Sequence, residues 1–246
     1  MDEMVYLAMT GAKQTEYAQA INSNNLANIS TSGFRADLHA FSSLAIEGPG
    51  VQSRVNAVVD AYGTDFSQGP VVNTGRNLDI AVQGKGFFAV QAPDGSEAYT
   101  RAGDLRVNPG GLLSNGAGHL IVGDGGPVAV PPNTSLTIGS DGTISVQPIG
   151  QGPQALVIVD RIKLVNPDIR QLSKGSDGLL RLPEGEVADA DAAISITAGS
   201  LEQSNVNVAV TLVNMIELSR QYEMQVNAMK TAKENADSAA QLMRVG

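Results

Sequence analysis

Few side chains in this sequence have the types and spacing that catalysis requires. The 246 residues include no Cys, which excludes disulfides, thiolate metal sites and cysteine nucleophiles. The two His, His39 and His119, are single residues that the sequence pairs with no acid or nucleophile, so no histidine relay is expected. No Gly-x-Ser-x-Gly nucleophile elbow occurs. We therefore assign no catalytic residue, no metal ligand and no cofactor, and predict that the protein is not an enzyme.

Several short patterns imitate ligand-binding loops. The segment Gln83–Phe88 places a Lys between two Gly, but it lacks the P-loop spacing and leads into strand-forming residues, which favours a tight turn. The pairs or triplets at Asp124–Gly126, Asp141–Gly142 and Asp189–Asp191 offer carboxylates, yet none continues into a calcium-binding loop. A pair of glycosidase carboxylates is not excluded by counting, although an aromatic content of 4% disfavours sugar-binding platforms.

The charge of the chain restricts its partners. The net charge is −9, which would repel a nucleic-acid backbone or an anionic membrane surface. Asp2 and Glu3 lie where a secretion signal needs basic residues, and no apolar run reaches membrane-spanning length. We expect no nucleic-acid partner, no direct membrane insertion and no cleaved signal peptide. Both a cytoplasmic location and export by another route stay open at this point.

Helix-breaking residues separate the middle of the chain from its ends. All 11 Pro lie between Pro49 and Pro183, and 24 of the 27 Gly lie within residues 36–204. Short β-branched and aromatic runs alternate with turn signals there, and no helical segment separates them, which predicts an antiparallel arrangement. The predicted strands are 78–82, 86–91, 98–101, 119–122, 135–138, 156–159 and 162–165.

The predicted fold class is a mostly β central domain, an irregular antiparallel sheet or barrel, with long N- and C-terminal α-helices. The expected domains are an N-terminal helix with an Asn-rich motif (1–35), an extended linker region (36–76), the central β domain (77–199) and a C-terminal helix (200–246). The N-terminal helix is expected to end near Ile29, after Asn24, Asn25 and Asn28.

The C-terminal segment carries an apolar repeat with alternating steps of four and three residues. The repeat continues over five heptads without Gly or Pro, which favours packing between helices over burial against one core and predicts a coiled coil. The predicted seam consists of Val208, Leu212, Met215, Ser219, Tyr222, Val226, Met229, Lys233, Ala236, Ala240 and Met243.

Three segments carry a resemblance to a known family. Asn24–Arg35 resembles the N-terminal signature of the flagellar rod, hook and hook-associated axial proteins, with Ser32 where that family usually has Pro. The segments 78–88 and 99–103 are similar to motifs of the family's central β domain. Gly199–Asn207, with Met215–Ile216 and Arg220–Glu223, is similar to the C-terminal signature.

The resemblance implies a structural subunit of the periplasmic rod of the flagellar basal body. Such subunits leave the cytoplasm through the flagellar type III export apparatus, and their terminal helices form an inner coiled-coil domain of a hollow drive shaft that transmits torque from motor to hook. The implied partners are other rod proteins, both proximal-rod subunits and the distal-rod protein, and the export apparatus. The implied assembly residues are Asn24, Asn25, Leu26, Ala27, Asn28, Gly33, Phe34, Val208, Leu212, Met215, Tyr222, Val226, Met229, Ala236, Ala240 and Met243.

The chain length and local sequence select among members of the family. The chain is too short for the hook protein and too long for the smallest rod subunits. Met1–Asp2 and Arg220–Val226, with Met229–Ala232, look more like a proximal-rod than a distal-rod subunit. The distal-rod type is the first alternative. A secreted carbohydrate-binding or carbohydrate-active β protein with a coiled-coil tail is the alternative from another class.

Overall fold

The computed structural model describes residues 2–45, 55–150, 155–183 and 186–245. The chain divides into two units, each described separately below. Unit 1 comprises Met1–Asn28, Ala36–Asp65 and Val206–Gly246, and unit 2 comprises Ile29–Arg35 and Phe66–Asn205. The chain therefore passes four times from one unit to the other.

Unit 1 contains both of the helices found in the described residues and one hairpin. The helices are α1 (Asp2–Ala27) and α2 (Val208–Val245), and the hairpin strands are β1 (Asp37–Ala45) and β2 (Val55–Thr64). Unit 2 contains the other described strands: β3 (Val71–Asn73), β4 (Ile80–Gln83), β5 (Phe87–Gln91), β6 (Glu97–Thr100), β7 (Arg106–Val107), β8 (Leu113–Ser114), β9 (Leu120–Gly123), β10 (Gly126–Pro127), β11 (Asn133–Ile138), β12 (Thr143–Pro148), β13 (Val157–Arg161), β14 (Leu164–Val165), β15 (Ser173–Lys174), β16 (Leu180–Arg181), β17 (Ser195–Ala198) and β18 (Ser200–Glu202).

The two helices of unit 1 pack against each other in opposite directions. The Asn22 side-chain amide near the end of α1 donates to the carbonyl of Thr211 near the start of α2, at 2.8 Å. Gly11, in the first half of α1, lies against Gln225, halfway along α2. A Cβ at Gly11 would lie 2.9 Å from that side chain, so the helices approach closely because the position has no side chain. Asn207 caps α2, since its Oδ1 accepts from the amides of Ala209 and Val210.

The prediction of a coiled-coil inner domain is wrong, although the two terminal helices and the mostly β middle are present. The described residues show an antiparallel helix pair and no coiled coil. On α2 the buried positions include Thr211, Leu218 and Ala232, each one residue before or after a predicted seam residue, whereas Leu212 and Val226 are exposed. The spacing of the repeat is correct, but only part of the seam lies on the packed face. Met215, Met229 and Ala236 are half-buried, whereas Leu212, Tyr222 and Val226 are exposed.

The hairpin of unit 1 lies in the segment 36–76, which the sequence predicts as an extended linker. Strands β1 and β2 pair antiparallel from Asp37 opposite Thr64 to Ala45 opposite Val55, with a register shift between Ala40 and Phe41. The remainder of that segment, from Phe66, belongs to unit 2 and contains β3. The role of the segment as a linker stays a prediction.

The strand pairings described in unit 2 are antiparallel. Within the described residues the largest sheet has nine strands, with the path β15-β16-β6-β5-β9-β8-β7, to which β10 adds beside β9 and β14 beside β5. A three-stranded sheet has the order β11-β12-β13, and two smaller ladders pair β17 with β4 and β18 with β3. These pairings connect residues from both ends of the central region.

The core of unit 2 lies on both sides of β5. Phe88 and Val90 belong to the larger apolar cluster, together with residues such as Ile80, Leu105 and Ile121. Phe87 and Ala89 point to the opposite face and join a smaller cluster that includes Tyr99. The strand therefore reads as a continuous apolar run because both of its faces are buried.

Candidate functional site

Asn25, in the Asn-rich motif at the end of α1, holds the start of the hairpin in unit 1. Its side-chain amide donates to the carbonyl of Asp37 at 2.8 Å, and its Oδ1 accepts from the amide of the same residue at 2.8 Å. The carboxamide thus pairs with backbone as a neighbouring strand would, and it is buried. Asn25 therefore has a structural task inside the chain, whatever it contacts in an assembly.

The other residues of the Asn-rich motif are more accessible. Asn24 and Ala27 are exposed, and Leu26 and Asn28 are half-buried. The carbonyl of Asn24 accepts twice from Asn28, from its side-chain amide at 3.0 Å and from its backbone amide at 3.1 Å. The motif therefore has one side that is fixed within unit 1 and one side that faces outward.

Gly33 and Phe34, the end of the N-terminal signature, lie inside unit 2. The Gly33 amide donates to the carbonyl of Glu202 at 2.8 Å, and its φ is +66°, a value that L side chains rarely adopt. A Cβ at Gly33 would overlap the backbone of Arg101. Lys174 lies over the ring of Phe34, with Nζ 3.9 Å from the centroid, and donates to the carbonyl of Arg35.

A buried charge cluster joins the three segments that carry the family resemblance. We use the name charge cluster for Arg35, Arg101 and Glu202. Glu202 Oε1 lies 2.6 Å from Arg35 Nη2, and Oε2 lies 2.8 Å from Arg101 Nη1. The side chain of Glu202 is fully buried, and those of Arg35 and Arg101 are nearly so. One carboxylate therefore serves two guanidinium groups in a site without water access.

Further hydrogen bonds tie the charge cluster to backbone. Arg35 Nη1 donates to the carbonyl of Ser67 at 2.7 Å, and Arg101 Nη2 donates to that of Gly84 at 2.6 Å. Glu202 Oε1 also accepts from the Gly69 amide at 3.1 Å. Burial holds the pKa of Arg101 below its ordinary value, Glu202 opposes that shift, and the nearby Arg35 adds to it. The arrangement stabilises structure and offers no open position to a substrate.

Sequence reasoning missed the charge cluster, although each member lies in or beside a segment quoted for the resemblance. The available signal was a charged residue within or directly after strand-like sequence: Arg101 follows the buried run Ala98–Thr100, and Glu202 follows Ser200–Leu201. Their pairing joins residues about 100 positions apart, which spacing along the chain does not reveal.

The predicted assembly residues of α2 fall into two groups. Val208, Leu212, Tyr222, Val226 and Ala240 are exposed. Met215, Met229 and Ala236 are half-buried, and the side chain of Met243 lies outside the described side chains. The first group presents large apolar side chains on the surface of unit 1, since Leu212 and Val226 each keep at least 40% of their surface exposed.

The remaining candidates for chemistry occupy turns and strand ends. Gly84 and Gly86 flank Lys85 with positive φ values, and β5 follows where a phosphate loop would need a helix. Asp141 accepts from both the amide and the hydroxyl of Thr143, and these bonds lower its pKa, as expected of a turn residue. His119 precedes β9, with its amide bonded to Asn115, and His39 lies in β1.

Neither described helix combines the length and apolarity that a membrane span requires.

Three family models match successive parts of the chain. Residues 6–35 match the model for flagella basal body rod proteins, and residues 81–146 match the D1 domain of the flagellar hook protein FlgE/F/G. Residues 197–242 match the C-terminal model of the flagellar basal body rod FlgEFG proteins. The matched segments contain Arg35, Arg101 and Glu202.

Full-length relatives agree with these matches. The flagellar basal-body rod protein FlgF of Escherichia coli K12 is 39% identical over 249 residues, covering 99% of each chain. The FlgF of Salmonella typhimurium LT2 is equally similar, with the same coverage. The FlgG of Buchnera aphidicola from Schizaphis graminum is 31% identical, over 97% of this chain and 98% of its own.

The chain belongs to the family of flagellar basal-body rod proteins. The Escherichia coli and Salmonella FlgF proteins, at 39% identity, are more similar to this chain than the Buchnera FlgG is at 31%, which confirms the predicted preference for an FlgF-like over an FlgG-like subunit.

Proposed function

We propose that this chain is a structural subunit of the bacterial flagellar basal-body rod, of the FlgF type, and not an enzyme. It assembles with other rod proteins through its terminal helices and forms part of the hollow shaft that transmits torque from motor to hook. The rod lies in the periplasm, and the chain reaches it through the flagellar type III export apparatus without a cleaved signal. The full-length similarity to FlgF proteins supports the family role.

The observation that carries the proposed mode of assembly is the set of large apolar side chains exposed on the helices of unit 1. On α2 they cluster in the first half of the helix, and on α1 they lie in its first two-thirds. They are Met4, Tyr6, Leu7, Met9 and Tyr17 on α1 and Val208, Val210, Leu212, Val213, Ile216, Tyr222, Met224 and Val226 on α2. We call these thirteen residues the helical apolar surface.

Burial of the helical apolar surface by neighbouring subunits would supply the free energy of assembly. Each fully buried side chain of this size contributes about 1.5–3 kcal/mol when it leaves water. These thirteen residues are more than half of the 23 large apolar side chains that are exposed in the described part of the chain. Its occupants are the helices of other rod subunits, as the family relationship implies.

A matched pair of substitutions tests this mode of assembly. Leu212→Asp places a carboxylate on the helical apolar surface, where a neighbour would have to desolvate it, so rod incorporation and motility should be lost. Ile158→Asp makes the same change at a more exposed position of β13, 70% accessible, and should retain motility. The variants are introduced into the chain's own bacterium after deletion of the natural gene, and isolated basal bodies are analysed for the subunit.

The same experiment needs evidence that both variants are folded. Because Leu212 and Ile158 are exposed, each substitution should change the free energy of unfolding by about 0.5 kcal/mol or less. Motile cells with normal rod content in the Leu212→Asp strain would refute assembly through this surface. Loss of motility in both strains would refute its location on the helices.

Cross-linking identifies the neighbours. The chain contains no Cys, so a single thiol introduced at Val226 would be unique in the subunit. A maleimide–benzophenone reagent attached to the thiol and irradiated in isolated basal bodies should join Val226→Cys to other rod proteins, whereas Ile158→Cys should form no such adducts. Adducts only at position 158 would contradict the proposed interface.

A further inference from the structure

The segments through which the chain enters and leaves unit 2 are fastened to one another at the charge cluster. The chain first enters from α1 at Ile29, leaves after Arg35 for the hairpin of unit 1, returns at Phe66 and finally leaves toward α2 after Asn205. Gly33 donates to the carbonyl of Glu202, and Asn205 donates to the carbonyl of Phe34 at 3.3 Å. The two segments, 33–35 and 202–205, therefore run side by side in the same direction.

A third segment completes this arrangement on the other side of 202–205. Gln203 donates to the carbonyl of Pro70 at 2.9 Å, and the Asn205 side chain donates to the carbonyl of Ser67 at 3.1 Å. Arg35 reaches the same Ser67 carbonyl. Glu202 thus occupies the central segment and binds the segments on both sides, through Arg35 and Gly69.

The direction of these segments determines how they respond to tension. The helices α1 and α2 pack against each other, so the pair separates first. A pull on the N-terminal end then acts on residue 29, and a pull on the C-terminal end acts on residue 205. Because the two segments are parallel, opposite pulls slide them along each other, and the hydrogen bonds and ion pairs between them are loaded together instead of one after another. Residues 66–201, the part of unit 2 that lies between the two segments in sequence, are beyond this fastening and bear no tension until it breaks.

We propose that the charge cluster is a mechanical clamp, which directs tension between the terminal helices across Arg35 and Glu202 and shields the rest of unit 2. Its importance for the flagellum rests on the proposed function as a rod subunit. The clamp itself is a property of the isolated chain.

The chemistry of the cluster suits a clamp because its rupture is costly. Sliding the segments separates Glu202 from Arg35 and Arg101, and it leaves guanidinium groups buried without their counter-ion. The Nε atoms of both arginines already have no hydrogen-bond partner among the described residues, so loss of the carboxylate finds no ready replacement. An exposed ion pair would instead be replaced by water at little cost.

Single-molecule pulling on the full chain tests the proposal. Met4→Cys and Gln241→Cys are exposed positions that give two unique attachment points, since the chain has no other thiol. At constant force, the α1–α2 pair should separate first. The clamp should then break in one event that unfolds residues 66–201 and releases roughly 450 Å of chain, at about 3.3 Å per residue. Glu202→Gln should shorten the lifetime of the clamped state at least roughly tenfold.

Two further variants keep the test decisive if Glu202→Gln does not fold. Lys174→Met removes the bond to the Arg35 carbonyl and the contact with Phe34 without leaving a buried charge, and should shorten the lifetime about two- to threefold. Asp177→Asn breaks an exposed pair with Arg181 in the same unit and should leave the lifetime unchanged.

Equal lifetimes for wild type, Lys174→Met and any folded Glu202→Gln protein would overturn the proposal, as would release of residues 66–201 in many small steps. This result is independent of the assembly test. If Leu212→Asp assembles normally while the clamp depends on Lys174 and Glu202, the proposed assembly fails and the clamp stands. If instead Leu212→Asp blocks assembly and the lifetime does not depend on Lys174 or Glu202, the proposed assembly stands and the clamp fails.

Discussion

The two units of this chain bury their side chains in different ways. Unit 2 encloses large apolar residues such as Phe88, Ile80 and Leu113 completely. In unit 1 the buried residues of α1 are small or polar, including Ala12, Ala18 and Asn22, and its large apolar residues form the helical apolar surface. Unit 2 therefore obtains its stability within the chain, whereas unit 1 keeps much of its apolar area available for neighbours.

The largest expected effect is the loss of stability caused by truncating a core side chain of unit 2, compared with truncating an exposed side chain of unit 1. Phe88→Ala removes a fully buried ring from β5 and should lower the free energy of unfolding of unit 2 by about 3–5 kcal/mol. Val210→Ala, on the helical apolar surface, should change the free energy of unfolding of unit 1 by about 0.5 kcal/mol or less. Denaturant unfolding of the purified chain measures both, and equal losses would contradict the difference between the units.

A second expected effect is a loss of stability of unit 2 at alkaline pH. Burial raises the pKa of Tyr99 to about 12, and its hydroxyl accepts from the amide of Ala188. The unfolded chain releases this proton near pH 10 while the folded chain keeps it, so stability is complete below pH 10 and falls as the pH rises toward 12. The loss from this group is at most about 2–3 kcal/mol.

Tyr99→Phe is the control for the alkaline effect, because other tyrosines and lysines also ionise in this range. The variant is less stable at neutral pH, since the Ala188 amide loses its acceptor. Its free energy of unfolding should nevertheless decline less steeply between pH 10 and pH 12. Identical slopes for wild type and Tyr99→Phe, measured by denaturant unfolding at each pH, would show that Tyr99 is not responsible.

A third substitution tests how much the hydrogen bonds within unit 1 contribute to its stability. Asn25→Ala removes both hydrogen bonds to Asp37 and should destabilise unit 1 by about 1–3 kcal/mol, because the Asp37 amide and carbonyl lose their partner. Asn24→Ala, one residue earlier and exposed, is the matched control with little expected change. Faster amide exchange at Asp37 in the first variant alone is the measurement. Equal exchange in both would show that the Asn25 pairing contributes nothing.

The smallest expected effect concerns an ion pair at the surface of unit 2. The Arg181 side chain, hydrogen-bonded at 2.6 Å, lowers the pKa of Asp177 to about 2. The stabilisation is therefore present above about pH 4 and is lost as the pH falls toward 2. Both side chains retain water contact, so Asp177→Asn should cost about 1 kcal/mol or less at neutral pH. A loss as large as that of Phe88→Ala would contradict this.

Much of the architecture could be predicted because it depends on local chemistry. Pro and Gly confine the strands to the middle, and the predicted strand 86–91 corresponds to β5 at Phe87–Gln91. The C-terminal helix is predicted within residues 200–246 and is found at Val208–Val245. These features follow from propensities and periodicity that act within a few residues.

The parts that could not be predicted depend on contacts between distant residues. Periodicity does not distinguish Leu212 from Thr211 as the buried residue when a close, polar helix contact accepts Thr211. The ion pair of Arg101 with Glu202 joins different motifs, and neither position shows a charge pattern along the chain. Asn25 was predicted as an assembly residue, but its bonds to the Asp37 backbone require the fold to bring them together.

The pairing of Asn25 with Asp37 also affects which changes the chain can accept. Asn25 contacts only backbone atoms of Asp37 in these two bonds, so the contact is indifferent to the side chain that position 37 carries. These two bonds therefore attach the hairpin to the helix without depending on the identity of the side chain at position 37. Related subunits could in this way diversify the hairpin for different neighbours without redesigning the helical end that holds it.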